Sequence, residues 1–198
     1  MKRIPRLILS DAHRLEVPRL EHSDVLFRQI NSNRNYLKQW LPWLDQAKKP
    51  VDSLQFLAQN KTFYETGKPF NFGIFYNEEL VGMIGYISID RPNRVAGIGY
   101  WLSEAATGNG LMIQSVMALC DYAYDREGMN RIYIRCATGN RGSRNIPERL
   151  CFHYEGTQRD AEWLYDHYVD LECYSMLERD WPGSEVVQEQ IKARQSNK

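Results

Sequence analysis

The stretch Ile98-Gly99-Tyr100-Trp101-Leu102-Ser103-Glu104-Ala105-Ala106-Thr107-Gly108-Asn109-Gly110-Leu111-Met112 changes character halfway along. A strand-like run enters a loop with two glycines. Beyond Leu111 the apolar residues Met112, Val116, Leu119, Cys120 and Ala123 recur at helical spacing as far as Arg126. A strand–glycine loop–helix junction offers unpaired backbone N–H groups and the positive end of a helix dipole, so it can hold a phosphate. Glycines matter there because a side chain would keep phosphate oxygens off the backbone. An ordinary connection through an Asn109-Gly110 turn fits the same residues. Two phosphate motifs fail: no G-x-x-x-x-G-K-[ST] occurs, and Ile113 stands where a dinucleotide-binding loop needs its third glycine. No acid ends a second parallel strand either.

Upstream of this junction the sequence predicts short strands at 6–9 and 14–17, then a helix with Ser23 as its N-cap. Asn31, Asn33 and Asn35 interrupt that helix. The aromatic segment Tyr36-Leu37-Lys38-Gln39-Trp40-Leu41-Pro42-Trp43 follows, then a helix at 51–66 between Ser53 and Gly67. Strands are expected at 70–76 and 80–89, joined by Asn77-Glu78-Glu79, and at 95–102 after Arg91-Pro92-Asn93. Downstream, Gly128 closes the central helix and 131–137 alternates as a strand. A short helix is expected at 143–150, with Pro147 near its first turn, then strands at 154–157 and 168–177. The order predicts an α+β fold, a three-layer α/β sandwich with helices on a mixed sheet. One domain over 1–181 is expected, with a polar C-terminal tail at 182–198; one marginal helix over 184–194 fits it, but fraying is the expected fate of such a terminus.

Composition bounds the function. The chain has 198 residues, 43% hydrophobic and 12% aromatic, which suits one domain with a large core. Lys plus Arg and Asp plus Glu both count 25, so there is no basic excess and no nucleic acid binding is expected. The longest apolar run, 80–89, is short and broken by Gly82 and Gly85, so no membrane span is expected. No secretory signal is read at the N-terminus, and the expected location is cytoplasmic. Cys120, Cys136, Cys151 and Cys173 lie far apart with no C-x-x-C pair, which reads as reduced thiols and no metal.

Several ordered motifs then carry a resemblance. They are Gly99-Tyr100-Trp101-Leu102, Gly108-Asn109-Gly110-Leu111-Met112, Asn130-Arg131-Ile132, Cys136-Ala137-Thr138-Gly139-Asn140-Arg141-Gly142-Ser143-Arg144 and Pro147-Glu148-Arg149-Leu150. From about Arg14 to Trp181 the sequence resembles the GNAT superfamily of acetyl-CoA-dependent N-acetyltransferases. The similarity is to its RimJ/RimL-type branch, which acetylates N-terminal amines of ribosomal proteins. Three positions depart from the pattern. In the pyrophosphate loop [QR]-x-x-G-x-[GA], Thr107 replaces the Gln or Arg and Met112 replaces the small residue; Cys151 replaces a glycine after Glu-Arg-Leu.

The resemblance implies a GNAT-like sheet, mostly antiparallel, whose parallel strands 95–102 and 131–137 splay apart to take the pantetheine arm. It implies acetyl-CoA as cosubstrate, direct attack of a neutral amine in a ternary complex, and a homodimer. CoA binding is expected at Trp101, Leu102, Thr107, Gly108, Asn109, Gly110, Leu111, Met112, Cys136, Asn140 and Ser143. Catalysis is expected from Ser143, as general acid to the thiolate, and from Glu162, as base acting through water, with Asn140 beside them. Helix capping alone also explains Asn140 and Ser143, and Glu162 also reads as a solvated surface acid. Some relatives carry a carboxylate on the strand before Gly99-Tyr100, but Gly97 stands there. Cys136 reads as a packing thiol near the CoA sulfur, able to form a mixed disulfide with CoA, with a nucleophilic role as the alternative. The expected acceptor is a protein N-terminus. The alternatives are a small-molecule amine, or a non-catalytic CoA-binding module of the same fold.

Overall fold

In the computed structural model, which describes residues 5–196, the first half of the chain runs β1 (Arg6–Ile8), β2 (His13–Glu16), α1 (Ser23–Ser32), α2 (Arg34–Leu37), α3 (Pro50–Thr66), β3 (Asn71–Tyr76) and β4 (Glu79–Asp90). The second half runs β5 (Val95–Leu102), α4 (Leu111–Asp125), β6 (Arg131–Ala137), α5 (Arg141–Arg149), β7 (His153–Leu164), β8 (His167–Leu177) and α6 (Ser184–Ser196). One eight-stranded sheet has the order β1-β2-β3-β4-β5-β6-β8-β7. Every pairing is antiparallel except β5 with β6, whose crossover is α4. The expected mixed, mostly antiparallel α+β sheet with one parallel pair is present.

That parallel pair opens. Its register runs only from Val95↔Arg131 to Ile98↔Ile134, while both strands continue, β5 to Leu102 and β6 to Ala137. Past Ile98 each strand stays bonded on its outer side, β5 to β4 and β6 to β8, so their facing edges lie unpaired. A bulge between Tyr86 and Ser88 of β4 falls beside Ile98, the last residue before the opening. Bulges bend and twist a strand, so the irregularity sits where β5 leaves β6.

The two sheet faces are covered by different helices. On one, Val116, Leu119, Cys120 and Ala123 of α4 are fully buried in the main core with Ile84 and Ile98. On the other, Leu26 and Ile30 of α1 and Leu57 of α3 pack with Leu37, Leu44, Phe75 and Met83. Each buried Val, Leu, Ile, Phe or Met among them contributes about 1.5–3 kcal/mol by leaving water. Helix α3 begins where Pro50 fixes its first turn and Asp52 accepts the Lys48 and Lys49 N–H groups, both at 2.8 Å. It ends at Gly67 in the left-handed region, φ 71°.

Three segments differ from the sequence reading. Strand β7 spans twelve residues, not four, because register shifts at Tyr154/Gly156 and Gln158/Glu162 break its alternation, and it is an edge strand with little to bury. Helix α5 starts at Arg141, so Pro147 lies inside it and not in its first turn. The polar segment after Gly183 forms α6 and buries Val187, because Trp181 Nε1–H and Ser184 N–H both donate to Asp121 of α4, at 2.7 and 3.2 Å.

Candidate active site

The loop before α4 is built around two left-handed glycines, Gly108 at φ 82° and Gly110 at φ 73°. Most L residues avoid that region, and the space a Cβ would take is open at both. Gly110 is the N-cap and caps nothing with a side chain, so the first-turn N–H groups of α4 are left for an outside acceptor. The loop's own polar groups turn inward: Thr107 Oγ1–H donates to Glu104 O at 2.7 Å, and Asn109 Nδ2–H to Ala106 O at 3.3 Å. Residues Thr107, Gly108, Asn109 and Gly110 are exposed. Leu102, Leu111 and Met112 are buried, so those three have only backbone to offer a ligand.

The second part lies in the mouth of the β5–β6 opening, where a cavity of about 790 Å³ is lined by Gly99, Tyr100, Trp101, Cys136, Asn140, Ser143 and Glu162 among others. Asn140 caps α5, its Oδ1 accepting Ser143 N–H at 3.0 Å. Tyr100 O–H donates to the Ser143 carbonyl at 3.1 Å, and Ser143 Oγ lies 3.4 Å from the Tyr100 hydroxyl. The mid-helix proline explains that pairing. Residue 147 is four on from Ser143 and would normally return an N–H to this carbonyl. Proline has none, so the carbonyl is open to the tyrosine. Burial pushes the Tyr100 hydroxyl above its ordinary range and holds it protonated. Burial, then Glu172, pushes the Cys136 thiol up to about 11, so it is neutral near pH 7 and a poor nucleophile.

Glu162 enters the cavity from β7, paired opposite Val169, just after the bulge that puts Asp160 at φ 48°. It is half-buried and its carboxylate forms no hydrogen bond or ion pair among the described residues. Burial raises its pKa, partly offset by Arg135. The far wall comes from α1, α3 and the 40–47 segment. The β7–β8 turn ties that segment down, since Tyr165 O–H donates to Leu41 O and Lys38 Nζ sits 4.4 Å from the Tyr165 ring. Trp43 packs on Trp101, and the Trp40 ring lies over Gly139.

Trp101, Cys136, Asn140, Ser143 and Glu162 therefore share one cavity, and Thr107–Met112 stands apart at the α4 N-terminus. Tyr100 is not among the site residues expected from the sequence; a buried tyrosine must find a partner for its hydroxyl, and that is the available signal. Gly97 has a physical reason: a Cβ there would lie 2.5 Å from the Tyr133 ring, whose hydroxyl bonds Ser88 Oγ at 2.7 Å. Among the described residues, no group of three or more His, Cys, Asp or Glu could hold a metal ion, and no helix is long and apolar enough to cross a membrane.

Both parts fit a ligand with a diphosphate at one end and an amide-bearing arm at the other. The α4 N-terminus offers N–H groups, and the unpaired strand edges offer amide partners. Comparisons with known proteins point the same way. A family profile described as the acetyltransferase (GNAT) domain matches residues 14–153. The ribosomal-protein-serine acetyltransferase of Escherichia coli K12 is 30% identical over 85% of this chain and 94% of its own length. A putative ribosomal N-acetyltransferase of Bacillus subtilis, YdaF, is 39% identical, over 56% of this chain and 61% of that protein. Among solved structures, the ribosomal α-N-protein acetyltransferase RimL, holding coenzyme A through a cysteine disulfide, superposes with TM-score 0.83 at 28% identity, over 87% and 98% of the two chains.

Proposed function

The chain belongs to the acetyltransferase (GNAT) family, in its RimL/RimJ-like branch, and is an acetyl-CoA-dependent N-acetyltransferase; from that premise we propose that its acceptor is the N-terminal α-amine of a ribosomal protein. When bound, acetyl-CoA supplies an activated acetyl thioester in the β5–β6 opening. An α-amine has an ordinary pKa near 8 and arrives largely protonated at pH 7. Glu162 takes that proton through a water, and its burial-raised pKa brings it closer to the amine it serves. Ser143 Oγ–H, beside Cys136 and Tyr100, gives a proton to the departing thiolate. Tyr100 fixes the first turn of α5 by its bond to the Ser143 carbonyl, and Asn140 fixes it through the Ser143 N–H. Thr107–Met112 binds the diphosphate through backbone N–H groups, and Trp101 walls the acetyl end.

The observation that carries this reading is the single free carboxylate in the cavity. The lining has two acids, Asp52 and Glu162, and Asp52 is spent on the Lys48 and Lys49 N–H groups. A polyamine carries several charges and needs several carboxylates; one N-terminal amine needs one. The test follows thiol release from acetyl-CoA with peptides beginning in Ser or Ala, their N-acetylated forms, and spermidine. Turnover of the free peptides alone is the expected result, and a preference for spermidine would overturn the reading. A cytoplasmic homodimer, with 1–181 as the catalytic domain and 182–198 appended to it, completes the proposal. Light scattering that returns one 23.3 kDa particle would remove the dimer.

A further inference from the structure

His13, only 1% exposed at the start of β2, sits against the first turns of α4 and uses both ring nitrogens there. Its Nδ1 lies 2.9 Å from Gln114 Oε1, and its Nε2 lies 3.1 Å from Ser115 Oγ. The Gln114 carbonyl oxygen can only accept, so Nδ1 carries the proton and Nε2 accepts from the serine hydroxyl. With Oε1 turned to the imidazole, the Gln114 amide nitrogen points the other way. It lies 4.0 Å from the point a Cβ would occupy on Gly110, has no hydrogen bond among the described residues, and is not sealed from solvent.

The glycine loop has a matching need. Its side-chain donors Thr107 and Asn109 are already bonded to loop carbonyls, leaving backbone N–H groups as its only other donors. A diphosphate has more acceptor oxygens than one helix turn can satisfy. We propose that Gln114 is a ligand of the CoA diphosphate, donating from Nε2 beside Gly110, and that His13 is the residue that orients it. The proposal rests on the acetyl-CoA reading and adds to it a side-chain donor one turn inside α4, aimed by a strand a hundred residues away in sequence.

The experiment titrates CoA calorimetrically into the wild-type chain, Gln114→Glu, Gln114→Ala and His13→Asn, with ligand-free melting temperatures measured alongside. Gln114→Glu keeps an acceptor for His13 but turns a carboxylate oxygen toward the phosphates. Its Kd for CoA is expected to rise about tenfold or more, since a hydrogen bond to a charged group is replaced by repulsion. A smaller loss, about threefold to tenfold, is expected for Gln114→Ala and His13→Asn. Pantetheine, which has the arm and no phosphates, is the second ligand, and its thermal protection should be the same for all four chains. CoA binding by Gln114→Glu within about twofold of wild type overturns the proposal, and so does an equal loss for pantetheine, which would mark general damage. A wild-type chain that binds no CoA would overturn the acetyl-CoA reading itself, a separate and visible failure.

Discussion

The two halves of the cleft are made in different ways. The CoA half uses backbone: an opened strand pair, two left-handed glycines and the first turn of a helix. The acceptor half uses side chains from segments far apart, with Glu162 on β7, Tyr165 in the next turn, Trp40 and Trp43 before α3, and Gln55 and Gln59 on α3. Backbone sites bind what every member of a family shares, while side-chain walls can be exchanged without disturbing the sheet. The groups proposed to react stand where the halves meet, Ser143 on one side, positioned by Tyr100, and Glu162 on the other.

The largest expected effects come from breaking that meeting point. Glu162→Gln should lower kcat about 10²- to 10³-fold, the usual worth of a positioned base, with CoA affinity unchanged. Its pH profile adds a signature. Burial raises the Glu162 pKa, so the base is lost as pH falls through a value above the ordinary carboxylate range. Wild-type kcat/KM should therefore show an acidic limb there, and the variant should lack it. Full activity with the limb intact would return Glu162 to an ordinary surface acid. Ser143→Ala should lower kcat about 10- to 100-fold while calorimetric CoA binding persists; unchanged turnover would leave the serine as a helix cap only.

The same contrast decides how much was legible in the sequence. Strands β5 and β6, the α4 start and the Ser143 segment were readable because backbone demands leave residue-type traces: glycine where φ is positive, Asn where a helix must be capped, a change of period where strand becomes helix. Glu162 was reached only through the family resemblance, and its element was misread, since two bulges hide β7 from any period-2 count. The tie from Tyr165 to Leu41 and the His13–Gln114–Ser115 chain join residues about a hundred or more apart. Nothing local in either segment announces its partner.

A smaller effect should come from the CoA half. Gly110→Ala forces a Cβ into φ 73° with nothing nearer than Gln114 Nε2 at 4.0 Å, so the cost is conformational, about 1–2 kcal/mol. If the helix answers by leaving that geometry, CoA affinity falls several-fold while acceptor KM holds. A loop shown by its amide shifts to have left that geometry, yet binding CoA as before, would not be the loop that holds the diphosphate.

The smallest change tests how the halves are coupled. Pro147 breaks the α5 ladder, and proline in a helix interior costs about 3 kcal/mol relative to alanine. It is also buried, so part of any gain from Pro147→Ala is offset by lost packing. A higher melting temperature is still expected. The restored N–H would compete with the Tyr100 hydroxyl for the Ser143 carbonyl, now held by the tyrosine at 3.1 Å. A carbonyl has two lone pairs, so the tyrosine is loosened and not expelled, and kcat should fall by no more than about threefold. A more stable and slower enzyme would mean the broken helix serves the site, by leaving one carbonyl free to hold Tyr100 against the serine. A more stable enzyme of undiminished rate would mean Pro147 matters only to packing, and that Asn140 alone sets the position of Ser143.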